Sequence, residues 1–179
     1  MTAPETLITN EMRSRIGVES VRVSDPIDKS LIRTWALALN WPDPPDPLYW
    51  DEGYAKTTRF GGIVAPLFFN PFAFNITPAR IRQMQRADAS GRQGAGEQPT
   101  AEGQGQFHIP SGLNAGGDAE HTGVPIRPGD VITATSKVVD IYERRGRTAD
   151  RMVITVTETR WTNQKGELVR VYRGTSLRY

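Results

Sequence analysis

An α+β fold is predicted by a change of periodicity along the chain. The first half carries a helical apolar spacing and a long apolar stretch, and the last part carries three β-branched runs separated by turn residues. In "DPIDKSLIRTWALALN" (25–40), Ile27, Leu31, Trp35 and Leu39 recur every four residues, which predicts an amphipathic helix. Asp28 or Asp25 is placed to cap it, and the prolines after Asn40 end it. The Pro/Asp turn of 42–47 follows, rigid and polar. A second helix is expected from near Ile63 through "VAPLFFNPFAF", apolar nearly all round and therefore buried, with Pro66 in its first turn and Pro71 as a kink or break. Residues 86–105 contain no large apolar side chain and are expected to form a mobile insertion within one domain spanning 1–179. The runs at 129–143, 150–163 and 167–179 predict three long antiparallel strands joined by hairpins. In the last of them polar and apolar residues occupy both faces, a pattern suited to a strand near an edge or a subunit contact. One sheet with a buried helix leaves apolar surface to cover, which pairing of two copies would supply.

Composition narrows the chemistry. No cysteine is present, which excludes disulfides, thiolate metal sites and a cysteine nucleophile. The 22 basic and 20 acidic residues give a formal charge of only +2, so nothing points to nucleic acid. No apolar run approaches the ~20 residues of a membrane helix. The N-terminal residues lack a basic start followed by an apolar stretch, so a cytoplasmic location is expected. The basic cluster "ERRGR" (143–147) reads as a solvated hairpin turn, with a contact to coenzyme A phosphates as the functional alternative.

Three blocks carry a family resemblance: "DPLYWDEGYAKTTRFGGIVAP" (46–66), "LNAGGDAEHTGVPIRPGD" (113–130) and "VTETRWTNQKGELVRVYRGTSL" (156–177). The chain resembles the MaoC-like dehydratases, in particular the N-terminal-domain type of fatty-acid-synthase-like dehydratases and mycobacterial hydroxyacyl dehydratase subunits. The resemblance implies a hotdog fold, a long central helix wrapped by a curled antiparallel sheet, in homodimers or heterodimers whose sheets join. It also implies an acyl-CoA or acyl-carrier-protein thioester substrate and no cofactor. Active relatives hydrate trans-2-enoyl thioesters to (R)-3-hydroxyacyl thioesters or run the reverse. They use an Asp and a His around an Asn-Pro pair to move water's protons, and a backbone N–H at a helix start, after a His-Gly, to hold the thioester oxygen.

Laid on this sequence, the Asn-Pro pair falls on Asp46-Pro47, the Asp on Pro44, the His on Tyr49 and the His-Gly on Ala65-Pro66. Proline has no N–H to donate, and a tyrosine hydroxyl with a reference pKa near ~10 is a poor base. Asp46, Tyr49 and His121 are the catalytic candidates that remain. Asp118 or Glu120 is the orienting partner expected for His121, against the plainer reading of a surface strand histidine. His108 borders the insertion and reads as incidental. Two histidines thirteen residues apart predict no metal site. The substrate-binding candidates are Asp51, Phe60, Gly61, Gly62, Ile63, Ala65, Pro66 and Asp118. For Asp51 the plainer role is to cap a turn or short helix, with Tyr54 packed over it. Three functions follow: a hydratase subunit with a degenerate motif that binds the acyl chain while a partner supplies Asp and His; a self-sufficient homodimeric hydratase with relocated residues; and a hotdog thioesterase or non-catalytic acyl-binding module.

Overall fold

The computed structural model describes residues 6–73, 113–146 and 151–178. The expected insertion at 86–105 and His108 lie outside them. The described elements run, in chain order, α1 (Asn10–Ser14), β1 (Glu19–Val23), α2 (Lys29–Asn40), α3 (Pro47–Trp50), α4 (Glu52–Thr57), β2 (Leu113–His121), β3 (Thr133–Arg144), β4 (Met152–Thr162) and β5 (Leu168–Arg178). The strands form a five-stranded sheet in the order β1-β3-β4-β5-β2, all neighbours antiparallel. β3, β4 and β5 coincide closely with the three predicted runs. β5 lies one strand in from the edge, which β2 occupies.

The four-residue spacing of 25–40 does fold as a helix. Asp28 caps α2 by accepting from the Ser30 N–H at 2.7 Å, and the chain leaves it at a cis Trp41-Pro42 bond. The buried stripe of α2 is centred on Ile32 and Ala36, both fully buried, with Leu31 and Trp35 packed beside them. Leu39, expected on the buried face, is 53% exposed, because the helix ends just beyond it and overhangs the core. The core that α2 closes against joins Ile32 to Phe69, Phe72, Ile132 and Trp161.

The helix expected from Ile63 does not form over residues 63–73, which are extended backbone and turns. Pro66 and Pro71 explain this. Each lacks the N–H a helix needs, and each disfavours helical backbone at the residue before it. The segment instead makes a turn in which the Phe69 N–H donates to the Pro66 carbonyl at 2.9 Å, and a second in which the Asn70 side chain accepts from the Phe72 N–H at 3.0 Å. Residues 74 onward of that expected helix lie outside the described residues.

Pleating gives the sheet two unlike faces. On the inner face, Ala134, Trp161 and Arg170 oppose one another across β3, β4 and β5, and Phe72 packs edge-on against Trp161 at 5.5 Å between centroids. On the outer face, Glu158 is buried beneath Arg173, whose guanidinium lies 2.8 Å away and holds the carboxyl below its ordinary pKa. Far along the inner face, Ile8 before α1 and Met12 within it pack on Val153. Glu143 ties this end together, accepting from the Thr6 hydroxyl, from the Leu7 N–H at 2.7 Å and from Arg151 at 2.6 Å.

Two stability experiments follow. An added Cβ at Gly117 would lie 2.7 Å from the Arg173 carbonyl oxygen and collide with the Tyr172 ring laid across it. Gly117→Ala should therefore cost about 1–3 kcal/mol in urea unfolding, as overpacking does. The hydrogen bonds from Thr6 and Arg151 lower the Glu143 carboxyl to about 2. A lowered folded-state value means stability present above the unfolded value of 4.5 and lost as pH falls toward 2. Wild type should accordingly lose stability through that window relative to Glu143→Gln, read by unfolding curves at pH 2 to 5.

Candidate active site

Two stretches of loop position the inner-face site. In "PIRPGD", the Asp130 carboxylate accepts from the Arg127 N–H at 2.7 Å and from the Gln164 side chain at 2.9 Å, closing a turn against the β4–β5 hairpin. The Arg127 guanidinium then donates to the Phe60 carbonyl at 2.7 Å. Next to it the Ala65 N–H donates to the Ile126 carbonyl at 2.8 Å. The lead-in 60–65 is thereby held along 124–130, and Gly61 makes the bend with φ +65°, a left-handed conformation that favours glycine. Ile63, Val64 and Pro66 are buried, while Gly61 stands open to solvent. Beyond Pro66, Leu67 and Phe68 project outward, 63% and 68% exposed, above the ends of β5 and β2.

The catalytic candidates do not converge on one chemical apparatus. Asp46 is exposed and caps α3, its Oδ1 accepting from the Leu48 N–H at 2.8 Å. Tyr49 sits one turn on, half-buried; burial, and then the Asp46 charge, push its hydroxyl above the ordinary tyrosine value. That makes Tyr49 a worse base and leaves it a proton donor at neutral pH. Asp51 caps α4, accepting from the N–H groups of Gly53 at 2.7 Å and Tyr54 at 3.1 Å. Tyr54 is 49% exposed instead of covering it. At Ala65-Pro66, expected from the resemblance to face the thioester oxygen, the Ala65 N–H is already bonded to Ile126 and Pro66 has none.

His121 is the last residue of β2, opposite Arg170 of β5 on the inner face. Its ring meets Phe68 edge-on at 6.3 Å between centroids. Burial, and then the Arg170 cation, lower its pKa below the ordinary histidine value, so the imidazole is neutral at pH 7. The expected orienting partners are not available to it. Asp118 and Glu120 stand three and one residues away along the same strand, an odd spacing, so the pleat turns both to the outer face. There Asp118 opposes Arg173, on the far side of the sheet from Phe68 and His121. Asp118 therefore fails both as the partner of His121 and as a neighbour of the other substrate-binding candidates.

Arg170 is the residue that sequence reasoning missed. Its guanidinium carbon lies 3.6 Å from the Trp161 ring centroid, and its Nη1 is 3.4 Å from the Leu67 carbonyl. A strand arginine looks like a surface residue; the aromatic Trp161 in the neighbouring run was the signal available. No group of three or more His, Cys, Asp or Glu side chains able to hold a metal occurs among the described residues. No helix of the described residues is long and apolar enough to cross a membrane.

Comparison with known proteins agrees with this architecture. Residues 14–171 match the model of the FAS1-like, dehydratase domain region. None of the curated proteins matches the chain significantly. Among solved structures, the C-terminally truncated HadBC (3R)-hydroxyacyl-ACP dehydratase complex of Mycobacterium tuberculosis superposes with a TM-score of 0.60 at 19% identity, covering 96% of this chain and 99% of that one. The ChsH1-ChsH2 complex of the same organism gives 0.61 at 15% identity over 90% and 88% of the two chains. The unliganded R-hydratase PhaJ1 of Pseudomonas aeruginosa gives 0.54 at 17% over 90% and 79%. At these identities the likeness establishes the hotdog fold.

The electrostatics give a direct check. In an NMR titration His121 should protonate below the ordinary value near 6.5, and Arg170→Gln should raise its midpoint by removing one of the two causes. An unchanged midpoint would leave burial as the sole cause.

Proposed function

The match over residues 14–171 places this chain in the FAS1-like dehydratase domain region family, a MaoC-like family, and on that premise we propose a function for it. It is a subunit of an (R)-specific enoyl-CoA hydratase or 3-hydroxyacyl-thioester dehydratase, one that binds the acyl thioester while a partner MaoC-like chain supplies the Asp and His. The observation that carries this reading is the state of the family's two catalytic positions. Tyr49 stands where the base belongs, with a hydroxyl made less acidic by its surroundings, and Ala65-Pro66 offers no unengaged N–H to a thioester oxygen.

Three further features support it. The aromatic segment at 66–72 lies against the inner face of the sheet and supplies apolar surface of the kind an acyl chain needs, with Phe69 and Phe72 buried. β2 is an edge strand exposed along nearly its whole length, a surface on which a second sheet can continue. HadBC and ChsH1-ChsH2 are two-chain complexes, so this fold is compatible with shared sites.

The self-sufficient reading is favoured by one observation, the neutral imidazole of His121 beside Phe68 on the inner face. A neutral imidazole can take a proton from water and return it to the substrate carbon. The thioesterase reading lacks a carboxylate on Val64–Ala73 to face the thioester.

Hydration of a panel of trans-2-enoyl-CoA substrates by the purified chain separates these. The subunit reading predicts no turnover by the chain alone, saturable binding of the thioesters, and (R)-3-hydroxyacyl-CoA formation once a partner with an intact Asp-x-Asn-Pro-x-His segment is added. Turnover by the chain alone that disappears in His121→Ala would replace it with the self-sufficient reading. Release of free coenzyme A without hydroxyacyl product would replace it with a thioesterase.

A further inference from the structure

One register row crosses all five strands on the inner face: Arg22, Ala134, Trp161, Arg170 and His121 oppose one another in turn from β1 to β2. Its middle is chemically unusual. Arg170 sets its guanidinium over the Trp161 ring, and its Nε is buried with no hydrogen-bond acceptor. Its polar contact among the described residues, to the Leu67 carbonyl, is long at 3.4 Å. No carboxylate among the described residues pairs with it. Arg173 of β5 and Arg151 just before β4 are served differently, with Glu158 at 2.8 Å and Glu143 at 2.6 Å. A partly desolvated cation without a counter-charge is costly, and an anion bound against it would offset that cost.

We propose that Arg170, between Trp161 and His121, is a carboxylate subsite, so that the acyl group taken by this domain carries an ionised carboxylate on its carbon chain. This rests on the acyl-thioester reading above and narrows its substrate class. Three features select a carboxylate. The guanidinium is a planar fork that matches a carboxylate's two oxygens, and the Trp161 ring against it restricts that fork. The surroundings are aromatic, with Phe72 against Trp161 and Phe68 against His121, ring contacts that suit a planar anion better than a tetrahedral phosphate needing donors on several sides. A thioester oxygen is neutral until the reaction is under way, so it would leave the cation unbalanced in the bound ground state. The Pro66–Phe69 turn, with Leu67 and Phe68 exposed, meets Arg170 through the Leu67 carbonyl, and an anion reaching the guanidinium there displaces nothing better bonded than that 3.4 Å contact. His121 stands across the strand from Arg170, its neutral ring ready to take up a proton and become a second donor once a negative charge arrives.

The test is calorimetric binding to the full chain of three probes that share coenzyme A: glutaconyl-CoA, which carries a terminal carboxylate, its methyl ester, and crotonyl-CoA. Glutaconyl-CoA should bind about tenfold or more tighter than the other two, the value of a hydrogen bond to a charged partner. Arg170→Gln should abolish that preference, Arg170→Lys should keep part of it, and the His121 titration midpoint should rise when glutaconyl-CoA binds and stay put with crotonyl-CoA. Equal binding of all three probes to wild type would overturn the carboxylate subsite and leave the acyl-thioester reading standing. Binding of none would overturn both. The comparison among probes on unaltered protein decides the matter even if an Arg170 variant does not fold.

Discussion

The hydrogen bond from the Ala65 N–H to the Ile126 carbonyl, with the Arg127 contact to Phe60 beside it, fixes the course of the chain on which the site depends. These contacts hold 60–65 along 124–130, which brings Pro66 to the surface of the core and launches 66–72 across the inner face of the sheet. From there Phe69 and Phe72 enter the core, and Leu67 and Phe68 come to lie over Arg170 and His121. The same bond occupies the Ala65 N–H, and Pro66 has none to offer in its place. A local choice made for chain path is thus also a choice about chemistry.

That geometry divides polar residues that look adjacent in sequence. Asp118 and His121 are three residues apart, yet the pleat sends them to opposite faces, where Asp118 stands opposite Arg173, the partner of Glu158. On the inner face the histidine meets only a cation and an aromatic ring. An imidazole in that setting stays neutral, and this part of the face is apolar and aromatic with the cations of Arg22 and Arg170 set in it. Such a surface offers apolar contact and few groups to move protons, which is what the proposed subunit role requires.

Much of this was legible beforehand, for identifiable reasons. The β3, β4 and β5 runs announced themselves because β-branched residues at period two are unlike helix sequence. Asp28 was readable as a cap because a carboxylate at that place has an orphan N–H to satisfy. The helix expected over 63–73 failed because apolar content outweighed two prolines five residues apart. β1 went unseen because five residues with Val21 and Val23 facing outward give too short a pattern. The Asp118–His121 pairing failed because strand parity was not applied to it. Arg170 was hidden for a different reason: its character comes from stacking on Trp161 and from having no counter-charge, and both depend on which strand lies beside which.

The central claim is that an acyl thioester lies on the inner face beneath residues 66–72. Photo-crosslinking with a diazirine-bearing acyl-CoA, followed by peptide mapping, tests it most directly. The account predicts label in the peptides that contain 66–72 and Trp161–Arg170, suppressed by unlabelled acyl-CoA. Label confined to the outer face around Asp118 and Arg173, or label that competitor does not reduce, would contradict it.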